Sequence, residues 1–496
     1  MSIERRAAAG AFWSFGATTT ERAVGFIIFA VILHYVPVGD VGLVAIGSML
    51  VELANTVAVA GVAERVIGSQ LRDPRIETSS FWAHALIAGT LASLLWVAAP
   101  LASSIYHEVR LVWVMRSLSA LVILNVLVVV PLATLTRDFR YRTIGLMSLG
   151  ATLSGAVGAL PFAMAGSGVL ALVVQRLTGV VFFVVAVTAA TRWHPKGRIV
   201  PAEVGAALRF SLPLIGSNIV DYLSRTGFAL FAGLRLDVVS LGYLRVAQRL
   251  LEVLQEVVVT SISRIFLPLF VSIRDEPARR YDVAAKIMNV MALLVVGCFA
   301  IAGATAGPLI EGMFGPHLRP AAPVFAILSL LGPYIVVSAF VRPLLLSCGL
   351  NGQILVVSSV NAATTAVIAY LAVPYGLTVL AASLVIRGFL AILFMAPFIR
   401  TALQHPVLPL LRYLIIPIAA ALTARLAVSF AEHALLPAHA PALLLLLLEG
   451  SIAAVAYGVV LAVFARHRSL AMVSLLRKAL GRPSGAAPGM STRSAT

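Results

Sequence analysis

The sequence predicts an all-α polytopic membrane protein with about fourteen transmembrane helices. Of its 496 residues, 60% are hydrophobic and only 11% are charged, whereas soluble domains carry about 25% charged residues. The mean hydropathy is +1.00, and long apolar stretches alternate with short polar breaks along the chain. This composition excludes an ordinary soluble enzyme, a disordered chain and a disulfide scaffold.

Each predicted span is a mostly apolar stretch of about 20 residues or more, which is the length that crosses a bilayer. In chain order the spans are 10–33, 41–63, 80–102, 112–136, 144–165, 169–191, 206–232, 239–271, 285–310, 320–346, 353–373, 376–399, 408–431 and 442–465. The breaks between spans contain the glycine, proline and polar residues of turns, as in Pro37-Val38-Gly39-Asp40 and Gly166-Ser167-Gly168.

The distribution of basic residues predicts the orientation. With the N-terminus in the cytoplasm, twenty-one Lys and Arg residues fall in cytoplasmic segments, and only Arg110, Arg235 and Arg319 fall in periplasmic loops. An excess of basic residues in cytoplasmic loops is the usual pattern of inner-membrane proteins. We therefore predict a multi-pass protein of the bacterial inner membrane with both termini cytoplasmic. The asymmetry also accounts for most of the net charge of +17 without a nucleic-acid partner.

An internal repeat is predicted because a shift of 200 residues places helices 1 and 2 on helices 7 and 8 without a gap. The matched pairs include Glu21 with Asp221, Gly42 with Gly242, and Glu52 with Glu252. Matched apolar residues are common in any membrane protein, whereas matched acids are not, although a coincidental register remains the alternative. We predict two six-helix lobes, 1–200 and 201–400, related by a parallel pseudo-two-fold axis. Two extra helices in 401–470 and a disordered cytoplasmic tail in 471–496 complete the chain.

Charged residues inside the predicted spans are the strongest functional signal, since an Arg or Asp at the bilayer centre costs about 2.5–3.5 kcal/mol on insertion scales. Helix 8 carries Arg245, Arg249, Glu252 and Glu256 on one stripe. Charged residues in the other spans include Glu21, Arg22, Glu52, Arg176, Asp221, Arg225 and Arg387. Because exposure of these groups to lipid is unfavourable, we predict a hydrated, cation-rich cavity between the lobes, walled by helices 1, 2, 7 and 8.

The predicted substrate-binding residues are arginines, because a guanidinium group binds phosphate oxygens bidentately. They are Arg22, Arg225, Arg249 and Arg387. Carboxylates on the same walls are predicted to couple ion binding to transport or to line the cavity. They are Glu21, Glu52, Asp221, Glu252 and Glu256. Structural roles remain open: Glu21–Arg22 and Asp221–Arg225 can lock helices together, and Arg245 can extend along its helix to the interface.

No catalytic signature is present in the sequence, which contains no Walker loop, no GxGxxG after a strand and no His/Cys cluster. We therefore predict a transporter and not an enzyme, with no cofactor and no metal. An ion gradient, the membrane potential or the gradient of the substrate itself would drive transport.

Several local motifs, in their order along the chain, resemble one transporter family. They are Gly10-Ala11-Phe12-Trp13, Pro37 to Ala45, Ser80-Phe81-Trp82, Ala99 to Ala102, Arg137 to Arg142, Gly166 to Val173, Arg192 to Pro195 and Leu241-Gly242-Tyr243. Together they resemble the polysaccharide transport (Wzx-type) flippases, of the superfamily that also contains MurJ and the MATE exporters. The end of helix 1, Leu33 to Pro37, lacks the arginine that this family usually has there, and Tyr243 is followed by Leu244 where the family has a second tyrosine.

The resemblance implies a flippase for undecaprenyl-diphosphate-linked oligosaccharide repeat units that works by alternating access, in the exopolysaccharide-exporter branch or in O-antigen biosynthesis. Its implied partners are the lipid-linked oligosaccharide, membrane lipids and a polysaccharide polymerase. Three alternatives remain: a lipid II flippase, a MATE-type ion-coupled drug exporter, and a polytopic glycosyltransferase or polymerase. The arginines argue against the second, and the short periplasmic loops argue against the third.

Overall fold

The structure is a computed structural model that describes residues 20–62, 65–66, 74–138, 140–195, 201–233, 235–263, 265–434 and 440–465. Within these ranges the regular structure is helical and no residue is in a strand, which confirms the all-α class. We number the long helices in chain order: α1 (20–35), α2 (Val38–Val59), α3 (Pro74–Ile105), α4 (Arg110–Arg137), α5 (Tyr141–Met164), α6 (Gly168–Thr191), α7 (Pro201–Gly233), α8 (Val238–Gln255), α9 (Pro277–Ala304), α10 (Gly332–Ser347), α11 (Asn351–Ala372), α12 (Leu377–Leu403), α13 (Ile415–Ala434) and α14 (Ala442–Phe464).

Each predicted span overlaps one of these helices, and most boundaries differ by only a few residues. Ten of the described helices are long and apolar enough to cross a membrane, and the bent pair Pro316–Ser329 and Gly332–Ser347 makes eleven. The three that fall outside this group are α1, of which 16 residues are described, and the more polar α7 and α8. The chain is therefore a multi-pass membrane protein, and the number of fourteen crossings stays a prediction.

Local sequence explains where the helices begin and end. Pro37 directly precedes α2, and Asp40 in the first turn of α2 accepts a hydrogen bond from Arg110 at 3.0 Å, which ties α2 to the start of α4. Gly166, with φ of +77°, makes the turn between α5 and α6, because glycine adopts this left-handed conformation without steric cost. The turns predicted at these two places are thus present.

The two halves of the chain approach each other closely where α2 and α8 cross. A Cβ atom on Gly42 would overlap the carbonyl oxygen of Val238 and would lie 2.8 Å from the backbone nitrogen of Gly242. In the reciprocal position, a Cβ atom on Gly242 would overlap the carbonyl oxygen of Val38. A shift of 200 residues turns the first of these contacts into the second. A two-fold axis between repeats requires this relation. This observation supports the duplication at α2 and α8, and the symmetry of the complete lobes stays a prediction.

A second contact joins the halves where α2 ends and α7 begins. Arg65 lies 2.6 Å from the carboxylate of Glu203 and also donates a hydrogen bond to the Glu203 carbonyl oxygen at 2.9 Å. Gly61 follows the end of α2 and has a φ of +81°. A Cβ atom at this position would lie 2.8 Å from the Cα of Ser211 in α7, so glycine allows this close approach. The first residues of α7 therefore pack against the N-terminal half.

The last two helices, α13 and α14, pack on α9 around a small core of their own. Tyr457 of α14 is buried, and its hydroxyl donates a hydrogen bond to the carbonyl oxygen of Leu293 at 2.9 Å. Arg425 of α13 donates to the carbonyl oxygen of Ala304, where α9 ends, at 3.2 Å. The extra helices predicted for 401–470 are thus fixed to the C-terminal half, and the tail predicted at 471–496 lies outside the described residues.

Replacing Tyr457 with phenylalanine is expected to lower the free energy of unfolding by about 0.6 kcal/mol, the average for hydrogen bonds between membrane helices. The change removes only the hydroxyl that contacts Leu293 and keeps the ring in place. Thermal unfolding of the purified protein measures the effect. Tyr370→Phe is the matched control, because Tyr370 is exposed in α11. Equal midpoints for the two variants would show that this hydrogen bond does not hold α14 on α9.

Candidate functional site

A cavity with a volume of about 640 Å³ lies in the N-terminal half. Its walls come from α1, α2, α4, α5 and α6, and α8 closes the remaining side. The polar and charged lining residues are Glu21, Ser48, Glu52, Asn55, Asn125, Ser148, Thr152, Gln175, Arg176, Arg245 and Arg249. Of the predicted walls, helices 1, 2 and 8 line this cavity, and the wall predicted for helix 7 stays a prediction because the side chains of Asp221 and Arg225 are not described. Helices α4, α5 and α6 also contribute to the cavity, and no described residue of α7 lines it.

The pair Glu52 and Arg176 connects two walls of the cavity. Arg176 of α6 donates a hydrogen bond to the Glu52 carboxylate of α2 at 3.0 Å, and both side chains are partly exposed. One turn along α2, Asn55 accepts a hydrogen bond from Asn125 of α4 at 3.1 Å. Carboxylate, guanidinium and amide groups therefore meet on the cavity wall, where they can hydrogen-bond to a hydroxyl-rich ligand.

The charged stripe of α8 forms the opposite wall. Arg245 and Arg249 both line the cavity, and both contact the Glu252 carboxylate, with distances of 3.0 and 3.2 Å. Arg249 also lies over the ring of Phe29 of α1, with its guanidinium carbon 6.0 Å from the ring centroid. The spacing of four and three residues puts these groups on one face, and the two arginines of that face line the cavity.

Glu256 begins a π-helical turn that runs from Glu256 to Thr260. Its carboxylate pairs with the guanidinium of Arg22 of α1, so this contact links α1 to α8. Turns of this kind are rare and occur often at functional sites. Glu21, the neighbour of Arg22, lines the cavity.

The described charges of this site balance. Four arginines, Arg22, Arg176, Arg245 and Arg249, lie on or beside the cavity walls together with four acids, Glu21, Glu52, Glu252 and Glu256. Among the residues that line the cavity itself, three arginines accompany two acids, and the cation-rich character of the complete cavity stays a prediction because the side chains of Asp221 and Arg225 are not described. Each of the four arginines contacts a carboxylate, which lowers the cost of placing cations inside a membrane protein.

The remaining predicted residues lie elsewhere or are not described. The side chains of Asp221 and Arg225 lie outside the described part of the structure, although both residues belong to α7. Arg387 of α12 is not among the lining residues of this cavity. It donates a hydrogen bond to Asn361 of α11 at 3.3 Å and lies over the ring of Tyr334, 5.1 Å from its centroid.

The contacts of two cavity arginines are visible only in the structure. Arg245, which the sequence leaves open as an interfacial side chain, lines the cavity and binds Glu252. Arg176 has a specific partner in Glu52 that lies 124 positions away in the sequence. The position of Arg176 in the middle of an apolar span indicates from the sequence that it has a polar partner. The identity of that partner depends on how α2 and α6 pack.

With this geometry established, comparison with known proteins identifies the family. Residues 36–323, more than half of the chain, match the family described as "Polysaccharide biosynthesis protein". The chain belongs to this family. The resemblance to polysaccharide transport proteins that the motifs indicated is therefore confirmed.

Two relatives extend the family match. The chain is 24% identical over 480 residues to the succinoglycan biosynthesis transport protein ExoT of Rhizobium meliloti (strain 1021), covering 96% of this chain and 97% of that protein. It is 21% identical over 341 residues to the lipopolysaccharide biosynthesis protein WzxC of Escherichia coli (strain K12), covering 67% and 68%. The first alignment spans nearly all of both proteins, including the part of the chain beyond the family match.

Two solved structures have the same fold. The lipid II flippase MurJ in an inward closed conformation aligns with a TM-score of 0.73 at 11% identity, over 94% of this chain and 99% of that one. An inward-facing multidrug resistance MATE transporter of the MOP superfamily aligns with a TM-score of 0.57 at 15% identity, over 77% and 94%. The MurJ/MATE-like fold expected from the family is therefore confirmed.

Proposed function

We propose that this protein is a flippase that moves undecaprenyl-diphosphate-linked oligosaccharide repeat units across the bacterial inner membrane by alternating access, for exopolysaccharide or O-antigen biosynthesis. The observation that carries the proposal is the match over nearly all of both chains to a relative named as a succinoglycan biosynthesis transport protein. The similarity to a lipopolysaccharide biosynthesis protein supports the same class of substrate. In this role the protein transports a lipid-linked sugar and catalyses no covalent chemistry.

The chemistry of the cavity suits the polar part of such a substrate. The diphosphate would bind guanidinium groups of α8 and α1, because guanidinium and phosphate form paired, charge-assisted hydrogen bonds. Arg245 and Arg249 line the cavity, and Arg22 of α1 is joined to the same stretch of chain through Glu256. The sugars would contact the amides of Asn55 and Asn125 on the opposite wall. The polyprenyl tail would stay in the lipid, since its burial in a polar cavity is unfavourable.

Alternating access requires that contacts between the halves on the two sides of the membrane open in turn. The distribution of basic residues supports an orientation with both termini in the cytoplasm. In that orientation the crossing at Gly42 and Gly242 lies towards the periplasm, and the Arg65–Glu203 pair lies towards the cytoplasm. We propose that the lobes 1–200 and 201–400 move relative to each other between these two contacts. A polymerase that takes up the transported units is a further proposed partner.

Alanine at Arg249 or at Arg22 is expected to reduce polymer export by about tenfold or more, because each charge-assisted hydrogen bond to a phosphate contributes about 1.5–3 kcal/mol. Export is measured in a strain whose own flippase has been deleted, and the amount of protein in the membrane is measured in parallel. Arg279→Ala is the matched control: this arginine is exposed at 64% and pairs only with the neighbouring Glu276 among its described contacts. Normal export by both cavity variants would disprove the phosphate-binding role of these arginines.

The lipid II flippase is the second candidate, and the similarity of the fold to MurJ favours it. Both substrates carry a polyprenyl diphosphate, so the arginines do not distinguish them. Complementation does: this gene should restore polymer production in a strain without its oligosaccharide flippase, and it should not support growth of a strain depleted of its lipid II flippase. The reverse pattern would establish the second candidate.

A further inference from the structure

The carboxylate of Glu252 forms ion pairs with both guanidinium groups of α8 that line the cavity. Its Oε1 atom lies 3.0 Å from Arg245 and its Oε2 atom lies 3.2 Å from Arg249. One oxygen is thus directed to each guanidinium, and a phosphate held between the same two arginines would use its oxygens in the same way. A phosphate that takes the same Nη1 donors must displace this carboxylate, and the negative charges of the two groups repel each other.

We propose that Glu252 is an internal counter-anion, which neutralises Arg245 and Arg249 while the cavity is empty and is displaced when the diphosphate of the substrate binds. This proposal rests on the proposed function, since it assumes a diphosphate ligand. It adds a role for the acid: Glu252 competes with the substrate for the arginines and so weakens binding to a level that permits release.

Electrostatics explains why an empty transporter benefits from such an acid. Two cations one helical turn apart repel each other, and the repulsion is stronger where the surroundings are less polar than water. An empty cavity with unpaired guanidinium groups would be costly inside the bilayer. With Glu252 in place, the four described arginines of the site are balanced by four acids.

The geometry also allows the exchange. The Glu252 side chain is 44% exposed, and Arg245 and Arg249 are 30% and 28% exposed, so the carboxylate can leave its partners and remain solvated. Glu52, its counterpart under the 200-residue shift, is 49% exposed and occupies Arg176 in the same way, with one contact at 3.0 Å. Exposed ion pairs contribute only about 0.2–1 kcal/mol each, so a diphosphate can replace them.

The test compares the binding of farnesyl diphosphate with that of farnesol to the purified full-length protein in lipid nanodiscs. Glu252→Gln removes the charge and keeps the shape of the side chain. We expect this variant to bind farnesyl diphosphate about tenfold more tightly than the wild type, because two competing ion pairs are removed. Glu432→Gln is the matched control: it removes an acid that contacts Arg425 at 3.5 Å away from the cavity, and it should leave the affinity unchanged.

The outcomes separate this inference from the proposed function. A wild-type protein that prefers farnesyl diphosphate to farnesol, with unchanged or weaker binding by Glu252→Gln, would overturn the counter-anion and leave the flippase proposal standing. A wild-type protein with no preference for the diphosphate would overturn the phosphate site and the counter-anion together. A purely structural role for Glu252 predicts lower thermal stability without tighter binding.

Three further measurements test the same inference, and two of them, on Glu252→Asp and in cells, do not need purified Glu252→Gln. Farnesyl diphosphate should stabilise this variant against heat more than it stabilises the wild type, because the ligand supplies the missing anion. Glu252→Asp keeps the charge on a shorter side chain and should bind with intermediate affinity. In cells, Glu252→Gln should export polymer more slowly than the wild type, since tighter binding slows release; faster export would contradict the proposal.

Discussion

Leucine in place of Gly42 is expected to abolish polymer export and to lower the thermal stability of the purified protein. A Cβ atom at this position would overlap the carbonyl oxygen of Val238 and would lie 2.8 Å from the nitrogen of Gly242. Because both atoms belong to the backbone of α8, no side chain can move aside to make room. Overpacking costs about 1–3 kcal/mol where side chains can adjust, so here α2 and α8 must separate, and the contact proposed to close the periplasmic end is lost.

Gly89 provides the matched control for this experiment. It lies in α3, and a Cβ atom on it would have no other atom within 4 Å, so Gly89→Leu should export normally. Gly242→Leu should fail in the same way as Gly42→Leu, because the contact is reciprocal. Wild-type export and stability in the Gly42→Leu variant would show that the transport cycle does not need this close crossing.

Most of the fold could be predicted from the sequence because the spans depend on local composition. Apolar stretches of the required length predicted each of α1 to α14, and the turns at Pro37 and Gly166 are present where glycine and proline break the pattern. The bend between Ser329 and Gly332, of 53°, was not predicted. Leu330 and Leu331, the two residues at the bend, are both apolar, so the hydropathy of the sequence does not indicate it.

The candidate site could be predicted less well, because its composition depends on packing between distant helices. The spacing of Arg245, Arg249 and Glu252 predicted one charged face, and the two arginines of that face line the cavity. The sequence contains no comparable information on which helices surround that face. The contribution of α4, α5 and α6, and with it the Glu52–Arg176 pair, follows from the tertiary arrangement.

Charge balance was the second property that local sequence could not supply. An arginine in an apolar span indicates a cation in the membrane, but its effective charge depends on the acids around it. Glu52, Glu252 and Glu256 were predicted to couple ion binding to transport or to line the cavity, and each contacts an arginine in the structure. Their role in ion coupling stays a prediction, whereas their pairing suggests the exchange proposed for Glu252.

A disulfide across the α2–α8 crossing is expected to stop transport completely and reversibly. A Cβ atom on Gly39 would lie 3.4 Å from Cγ2 of Val239. The sulfur of a cysteine at position 239 can take the place of that methyl group and so come within reach of a sulfur on residue 39. The test is the double variant Gly39→Cys/Val239→Cys, in a background in which the free cysteines Cys298 and Cys348 are replaced by alanine. Oxidation should abolish export, and a reductant should restore it, because alternating access requires α2 and α8 to separate.

The two single variants, Gly39→Cys and Val239→Cys, separate cross-linking from chemical damage, since neither can form the bond within one molecule and both should export normally after oxidation. The fraction cross-linked is measured by the change in gel mobility after cleavage between the two halves, and export should fall in proportion to it. Continued export by fully cross-linked protein would contradict alternating access about this contact. Loss of export that a reductant does not reverse would indicate that the substitutions themselves distort the crossing. The reversible result would therefore identify the crossing of α2 and α8 as a contact that opens in every transport cycle.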